Sequence, residues 1–475
     1  MSPTSDTGPD APGDGLPQPQ RLLAMCTVIL AIGVSVLDAT MLNLALPGIV
    51  RELRIAEADG VWLVNAYQLA ILVLLLPLAL LGDLIGYRRV YLGGTVVFML
   101  ASVACLLAGR AGQLAAARAL QGAGAAGLFA VNAALVRLIY PARLLGRGIA
   151  LNSAVVAVSS VAGPALAAAI LSVLHWHWLF AFNIPIALLL LGLGWHSLPG
   201  NASAPPAGLR FPWLDAVLNG AMFLLLFIGA QRFVPHKLLP AAPGLAAALV
   251  AAGALVGLAY VRRQLAQVRR GGVPLLPVDL LAIPVFRLSM ATSVAAFAAQ
   301  TVASVALPFL LLEGLGRTPA EAGWVLVGWP VGTVLAAPVA ARLIGRQPSG
   351  LLGGIGLGLL ASGLALLALL PAQPTALAMF GRLMLCGIGF GLFQSPNNHT
   401  IVTAAPAHRS GGAAGMLGTA RLTGQSLGAL VAGALYGLWS ATPAQVPMLA
   451  LGVAAGLAIA GAGASLLRVR EQRPG

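Results

Sequence analysis

The chain is 475 residues long, carries a formal net charge of +14, and is 59% hydrophobic and only 8% charged, with a mean hydropathy of +0.92. Soluble domains hold about 25% charged residues, so this composition excludes a soluble globular protein and identifies a polytopic, all-α membrane protein. The basic residues fall mostly in short gaps between apolar runs, as membrane topology requires, so the positive charge does not imply a nucleic-acid partner.

Residues 1–20 are rich in Pro, Gly and Asp and lack the basic-then-apolar order of a signal peptide, so a disordered tail is expected. A spanning helix needs about 20 mostly apolar residues, and fourteen runs qualify. The first six are 22–47, 61–81, 90–108, 113–137, 149–174 and 178–198. Two follow at 213–233 and 239–261, and six more at 285–312, 320–344, 351–370, 375–403, 411–438 and 444–467. The expected organisation is a six-helix bundle over 21–198, an inserted hairpin and basic linker over 199–283, a second bundle over 284–468 and a short tail over 469–475. Most Lys and Arg residues fall on the side of the amino terminus, among them Arg88, Arg89, Arg143, Arg147, Arg262, Arg263, Arg269, Arg270, Arg468 and Arg470. Both termini are therefore expected in the cytoplasm. The stretch 262–287 reads either as an interfacial segment or as an ordinary basic linker.

Asp38 sits deep inside the first apolar run. A charge at a helix centre costs about 2.5 to 3.5 kcal/mol on insertion scales, so its default reading is a proton, ion or substrate site. The competing reading is a structural ion pair. At 1.5 Å rise per residue, Asp38 lies about 13 Å inward from Pro47 and Arg118 about 8 Å inward from Gln113, a difference a long arginine can span. A carboxyl that makes and breaks contact with a guanidinium changes its proton affinity. Asp38 is thus expected to bind a proton from outside and release it inside, with Arg118 as the partner that expels it. Arg118 capping neighbouring backbone carbonyls is the alternative.

Internal repetition is visible in shared polar and glycine positions. Arg118 precedes Gly127-Leu128-Phe129 as Arg382 precedes Gly391-Leu392-Phe393. Asp83-Leu84-Ile85-Gly86 corresponds to Arg342-Leu343-Ile344-Gly345, and Ser159 and Gly163 correspond to Gly424 and Gly428. A parallel six-helix repeat with two helices between the copies follows.

These residues resemble the major facilitator superfamily, specifically its fourteen-helix drug:proton antiporter branch. The run from Leu37-Asp38-Ala39 to Leu46-Pro47 looks like that branch's first-helix signature, and Trp62 to Leu69 like the start of its second helix. Gly82-Asp83-Leu84-Ile85-Gly86-Tyr87-Arg88-Arg89 resembles the loop between helices two and three, and Arg118-Ala119-Leu120-Gln121-Gly122 the fourth-helix arginine motif. Gly163-Pro164 resembles the core of the fifth-helix antiporter motif, and Asn183-Ile184-Pro185 fits the sixth helix. The chain departs at Leu84 and Tyr87, where basic residues are usual, and at Ser159, Ala167 and Ala168, where glycines are usual. The resemblance implies a major facilitator fold of two six-helix bundles plus two inserted helices. It further implies alternating access, a multi-pass position in the bacterial inner membrane, protons as coupling ion, no other cofactor, a small-molecule substrate and a monomer in the lipid bilayer.

Asp83, Gly86, Arg88 and Arg89 are expected to form a latch at the inner membrane edge, or simply a loop that obeys the charge rule. Gly163 and Pro164 can bend a helix and support rocking between two access states. Asn43, Asn65, Tyr67, Gln68, Gln121, Asn132, Asn152, Gln300, Gln394, Asn397, Asn398 and His399 are candidates for lining a substrate cavity or for bridging helices. Phe129, Phe297, Trp324, Trp329 and Phe393 are candidates for stacking on a solute or for packing. Arg382 and Arg421 are buried cations with no acid nearby in sequence, although Glu313 or Asp215 are possible partners; they read as structural or coupling residues.

Enzymatic signatures are absent in context. Gly122 to Gly127 has dinucleotide-binding spacing and Gly424 to Gly428 nucleophile-elbow spacing, but both lie inside expected membrane helices instead of strand-turn-helix units. The sole lysine, Lys237, follows His236 and belongs to no phosphate-binding loop. Cys26, Cys105 and Cys386 lie in apolar runs, and His175 with His177 alone make a poor metal site. The leading function is proton-driven export of small amphipathic or drug-like compounds. A proton-linked or passive carrier of one metabolite, and a non-transporting membrane sensor or assembly protein, are the alternatives.

Overall fold

The computed structural model describes residues 15–141, 144–200, 211–232, 242–270, 274–344, 346–371, 373–405, 410–438 and 445–471. The tail before residue 15, Arg143, His236, Lys237 and Gly345 lie outside these residues, as do the side chains of Arg147 and Arg470. The amino-terminal bundle comprises α1 (Gln20–Glu52), α2 (Glu57–Ile85), α3 (Tyr87–Leu106), α4 (Ala111–Ile139), α5 (Leu145–Val173), α6 (Trp178–Ala181) and α7 (Asn183–Ser197). The hairpin α8 (Trp213–Gln231) and α9 (Pro243–Arg269) follows. The second bundle comprises α10 (Pro284–Phe309), α11 (Pro319–Leu326), α12 (Gly328–Leu343), α13 (Ser349–Ala368), α14 (Ala376–Ala404), α15 (Ser410–Leu438) and α16 (Val446–Glu471). Twelve helical stretches among the described residues are long and apolar enough to cross a membrane. The expected fourteen would add α5 and α15, whose first turns carry side chains outside the described set.

Prolines set the local breaks. Pro cannot donate to the carbonyl four residues back and its ring crowds that carbonyl. α6 accordingly stops at Ala181, four residues before Pro185, and α11 stops at Leu326, four residues before Pro330. Thr318 caps α11 in a reciprocal capping box with Glu321, which fixes where that span starts. Between α2 and α3 the turn is a single residue, Gly86, at φ 107°, a conformation that a Cβ makes costly.

The start of α1 and the end of α16 lie at one face. Arg51 at the end of α1 approaches Glu313 beyond the end of α10, at 3.9 Å, so these two helices run in parallel. Arg468 near the end of α16 donates to Ser289 Oγ near the start of α10, at 2.8 Å. At the opposite, far face one apolar core is shared by both bundles, with Leu46, Ile49, Val50 and Val61 joined to Leu307, Phe309, Leu310 and Tyr436. Toward the terminal face the cores separate. One holds Met25, Val28, Tyr91 and Leu135 of the first bundle, and another holds Phe286, Met290, Ile401 and Met416 of the second. The α8–α9 hairpin docks on α2, where Asn219 Nδ2 donates to the Val73 carbonyl at 3.0 Å, and it is closed internally by Asp215 accepting from Arg263 and Gln267.

Candidate transport site: a buried ion pair beside a central cavity

Asp38, on α1, and Arg118, on α4, meet inside the first bundle at 2.6 Å, with side chains only 2% and 1% exposed. Their helices bring three further groups to the carboxylate. Gln121, one turn beyond Arg118, donates its Nε2 to Asp38 Oδ1 at 3.0 Å and to Ser102 Oγ at 3.0 Å, and accepts from Arg118 Nη1. Asn183, at the start of α7, donates to the same Oδ1 at 2.7 Å. A carboxylate, which only accepts, suits the three donors that converge on Asp38, while Arg118 Nε is left without a partner among the described residues.

The Tyr67 ring covers this cluster. The Arg118 guanidinium carbon lies 4.3 Å from the Tyr67 ring centroid and 5.8 Å from that of Phe180. Tyr67 also lines a central cavity of about 310 Å³ between the two bundles, whereas Asp38 and Arg118 do not. The ion pair therefore sits one aromatic ring behind the cavity wall.

Of the cavity candidates, Asn43, Tyr67, Gln68, Gln300 and Gln394 line the space, as do Pro164, Phe129, Phe297 and Trp329. Gln121 belongs instead to the ion-pair cluster. Asn65 is fully buried away from the cavity, Asn132, Asn152, Asn398 and His399 are not among the lining residues, and Asn397 bridges helices to Ser293 and Arg468. Trp324 stacks on Phe380 at 5.3 Å on an exposed surface, and Phe393 is core. Phe390, which the sequence reading omitted, joins Phe297 and Trp329 in an aromatic wall, with centroids 5.4 Å and 6.3 Å away.

Arg421 lines the cavity and stands 5.8 Å from the Phe129 ring centroid. Neither suggested acid reaches it, since Asp215 is held by Arg263 and Glu313 lies beside Arg51. Among the described residues Arg382 keeps a buried Nη1 without a partner, and it is not among the residues lining the cavity. Asp83 accepts from Tyr87, Arg88 donates to the Trp195 carbonyl, and Arg89 on α3 donates to the Ile85 carbonyl at the end of α2. The expected latch residues are thus tied within the first bundle, around Gly86. Gly163 lets α5 and α1 touch, because a Cβ there would lie 1.9 Å from Thr40 Oγ1.

Two features were missed by sequence reading. Arg468, assigned to a basic membrane edge, is fully buried and hydrogen-bonded to Ser289, Asn397 and Ser465. Glu52 joins His175 and His177 within 4.8 Å at the far face, but His175 bridges the other two by 2.6 Å contacts, a row and not a convergent set. Burial lowers the His177 pKa from its ordinary value.

The Major Facilitator Superfamily profile matches residues 28–286 and 288–475. The chain belongs to this superfamily. It is a multi-pass membrane transporter. It is 47% identical to the "Uncharacterized transporter YebQ" of Escherichia coli (strain K12), over 98% of this chain and 99% of that protein. It is 30% identical to "Multidrug resistance protein Stp" of Mycobacterium tuberculosis, covering 88% of this chain and 76% of that one. Its fold matches that of a bacterial homolog of the human lysosomal transporter Spinster, solved inward-facing and unoccupied, with a TM-score of 0.66 at 16% identity over 96% of this chain and 98% of that chain.

Proposed function

We propose that this protein is a fourteen-span, proton-coupled exporter of small amphipathic or drug-like compounds in the bacterial inner membrane, with both termini cytoplasmic. The observation that carries the reading is the buried Asp38–Arg118 pair with the Tyr67 ring between Arg118 and the central cavity. With that orientation the shared apolar core seals the outer face, and the chain is in an inward-facing state. Asp38 then takes up a proton when the bundles rock open outward, and Arg118 displaces it when they return. Gly163 and Thr40 hold α1 against α5 two residues along the chain from the carboxylate, so bending of α5 at Gly163 and Pro164 would alter its surroundings. The export direction draws on the relative named for multidrug resistance.

Efflux from proteoliposomes across a compound panel, with and without a protonophore, tests the reading. Wild type is expected to concentrate at least one compound against its gradient only while a proton gradient persists. An Asp38→Asn protein that still pumps uphill on protons overturns the scheme.

A further inference from the structure

We propose that the central cavity takes a small aromatic compound bearing an anionic group, with Arg421 as its counter-ion. This deepens the transport reading and rests on it only in treating the cavity as the cargo site.

Arg118, Arg468 and Arg421 differ in what neutralises them. Arg118 has Asp38 at 2.6 Å. Arg468 has neutral acceptors, Ser289, Asn397 and Ser465. Arg421 has neither: among the described residues no carboxylate pairs with it and no side chain accepts from it, and its one close contact is the face of Phe129. Five further acids have partners of their own. Glu52 is paired with His175, Asp83 with Tyr87, Asp215 with Arg263, Glu313 with Arg51 and Glu321 with Arg317. A cation–π contact at that distance does not offset the desolvation of a guanidinium, so the group is poised for an acceptor that arrives with a ligand.

Among the described residues, Arg421 is the only charged one on the cavity wall. A cationic cargo would meet like charge with no lining carboxylate to balance it. Opposite chemistry is supplied for an anion's remaining parts. Phe297, Phe390 and Trp329 form the aromatic wall, and Trp329 Nε1 and the Tyr67 hydroxyl are donors without a protein partner among the described residues. The bidentate fork of arginine suits a carboxylate, sulfonate or phosphonate.

Calorimetric titration of the full-length protein in detergent tests this with two matched sets. One is 2-naphthoate, 2-naphthamide and 2-naphthylmethylammonium; the other is indole-3-acetate, indole-3-acetamide and tryptamine. In at least one set the carboxylate is expected to bind about tenfold or more tighter than its amide, the amine weakest. Arg421→Gln should erase that preference and leave amide affinity within about twofold, Arg421→Lys should keep part of it, and added salt should weaken only the carboxylate. If Arg421→Gln does not fold, the lysine variant and the salt series on wild type decide. Amides or amines binding as well as carboxylates in both sets, carboxylates failing to bind, or a preference unchanged without Arg421 would overturn the proposal. No proton gradient enters these titrations, so failure of proton coupling, read in liposome flux, leaves this result standing and the reverse.

Discussion

Replacing Asp38 by Ala leaves the Arg118 guanidinium, 1% exposed, without its counter-ion and with Gln121 Oε1 as its remaining acceptor. Asn183 Nδ2 loses its partner as well, while Gln121 Nε2 keeps Ser102. Removing one member of a buried pair costs about 3 to 5 kcal/mol, because the surviving charge stays desolvated. Replacing both members by apolar side chains is far less damaging, since no charge is stranded. Asp38→Ala is therefore expected to lower stability by about 3 to 5 kcal/mol, and the double variant with Arg118→Met to recover most of that loss, a coupling of roughly 3 kcal/mol in a double-mutant cycle. Detergent-induced unfolding of the purified proteins, followed by tryptophan fluorescence, measures all four corners. A single-variant cost below about 1 kcal/mol would mean that water already solvates Arg118. Additive losses would mean that the two residues act separately. Either result refutes the buried-pair argument.

Further expectations follow from other positions. Burial and the neighbouring Glu313 raise the Glu57 pKa from 4.5 to about 7. A raised carboxyl pKa favours the closed far face at low pH, fully below about pH 4.5, and that support is lost as pH rises through about 7. Spin labels at Ala56→Cys and Ala320→Cys should separate between about pH 5 and 8, and Glu57→Gln should abolish the change; pH-independent distances in wild type would sink this. Gly163→Val drives side-chain atoms into Thr40, so transport should fall sharply with a stability loss of about 1 to 3 kcal/mol, and adding Thr40→Gly should restore part of the flux. No rescue would remove the contact from the mechanism. Tyr67→Ala should expose Asp38 to the cavity, raising its carbodiimide labelling well above the wild-type level; equal labelling would show that the ring is not the barrier.

Much of the fold could be read because a bilayer demands long apolar helices, and the runs at 22–47 and 113–137 became α1 and α4 with little shift. The Asp38–Arg118 contact was legible for the same reason, since depth along a helix is countable. Its other partners were not. Asn183 reaches Asp38 only because Pro185 breaks the span at Phe182, and Ser102 reaches Gln121 only because α3 packs on α4. Polar residues at similar depth, such as Gln121 and Gln394, look alike in sequence, yet one closes the ion-pair cluster and the other lines the cavity, a difference set by which helix face meets which neighbour. Arg468 was hidden by its position near a helix end, where a solvated charge is the ordinary expectation, until Ser289 and Asn397 from other helices surrounded it. The repeat was visible in Arg118 and Arg382, but the acid on one side only, Asp38 on α1 and none within α10, is what makes the first bundle the proton-binding half of the proposal.

The infrared difference spectrum of the purified protein between neutral and acidic pH tests proton binding at Asp38 most directly. The account predicts a protonated-carboxyl band in wild type that is missing in Asp38→Asn and shifted by Arg118→Met. Identical difference spectra for wild type and Asp38→Asn would contradict it.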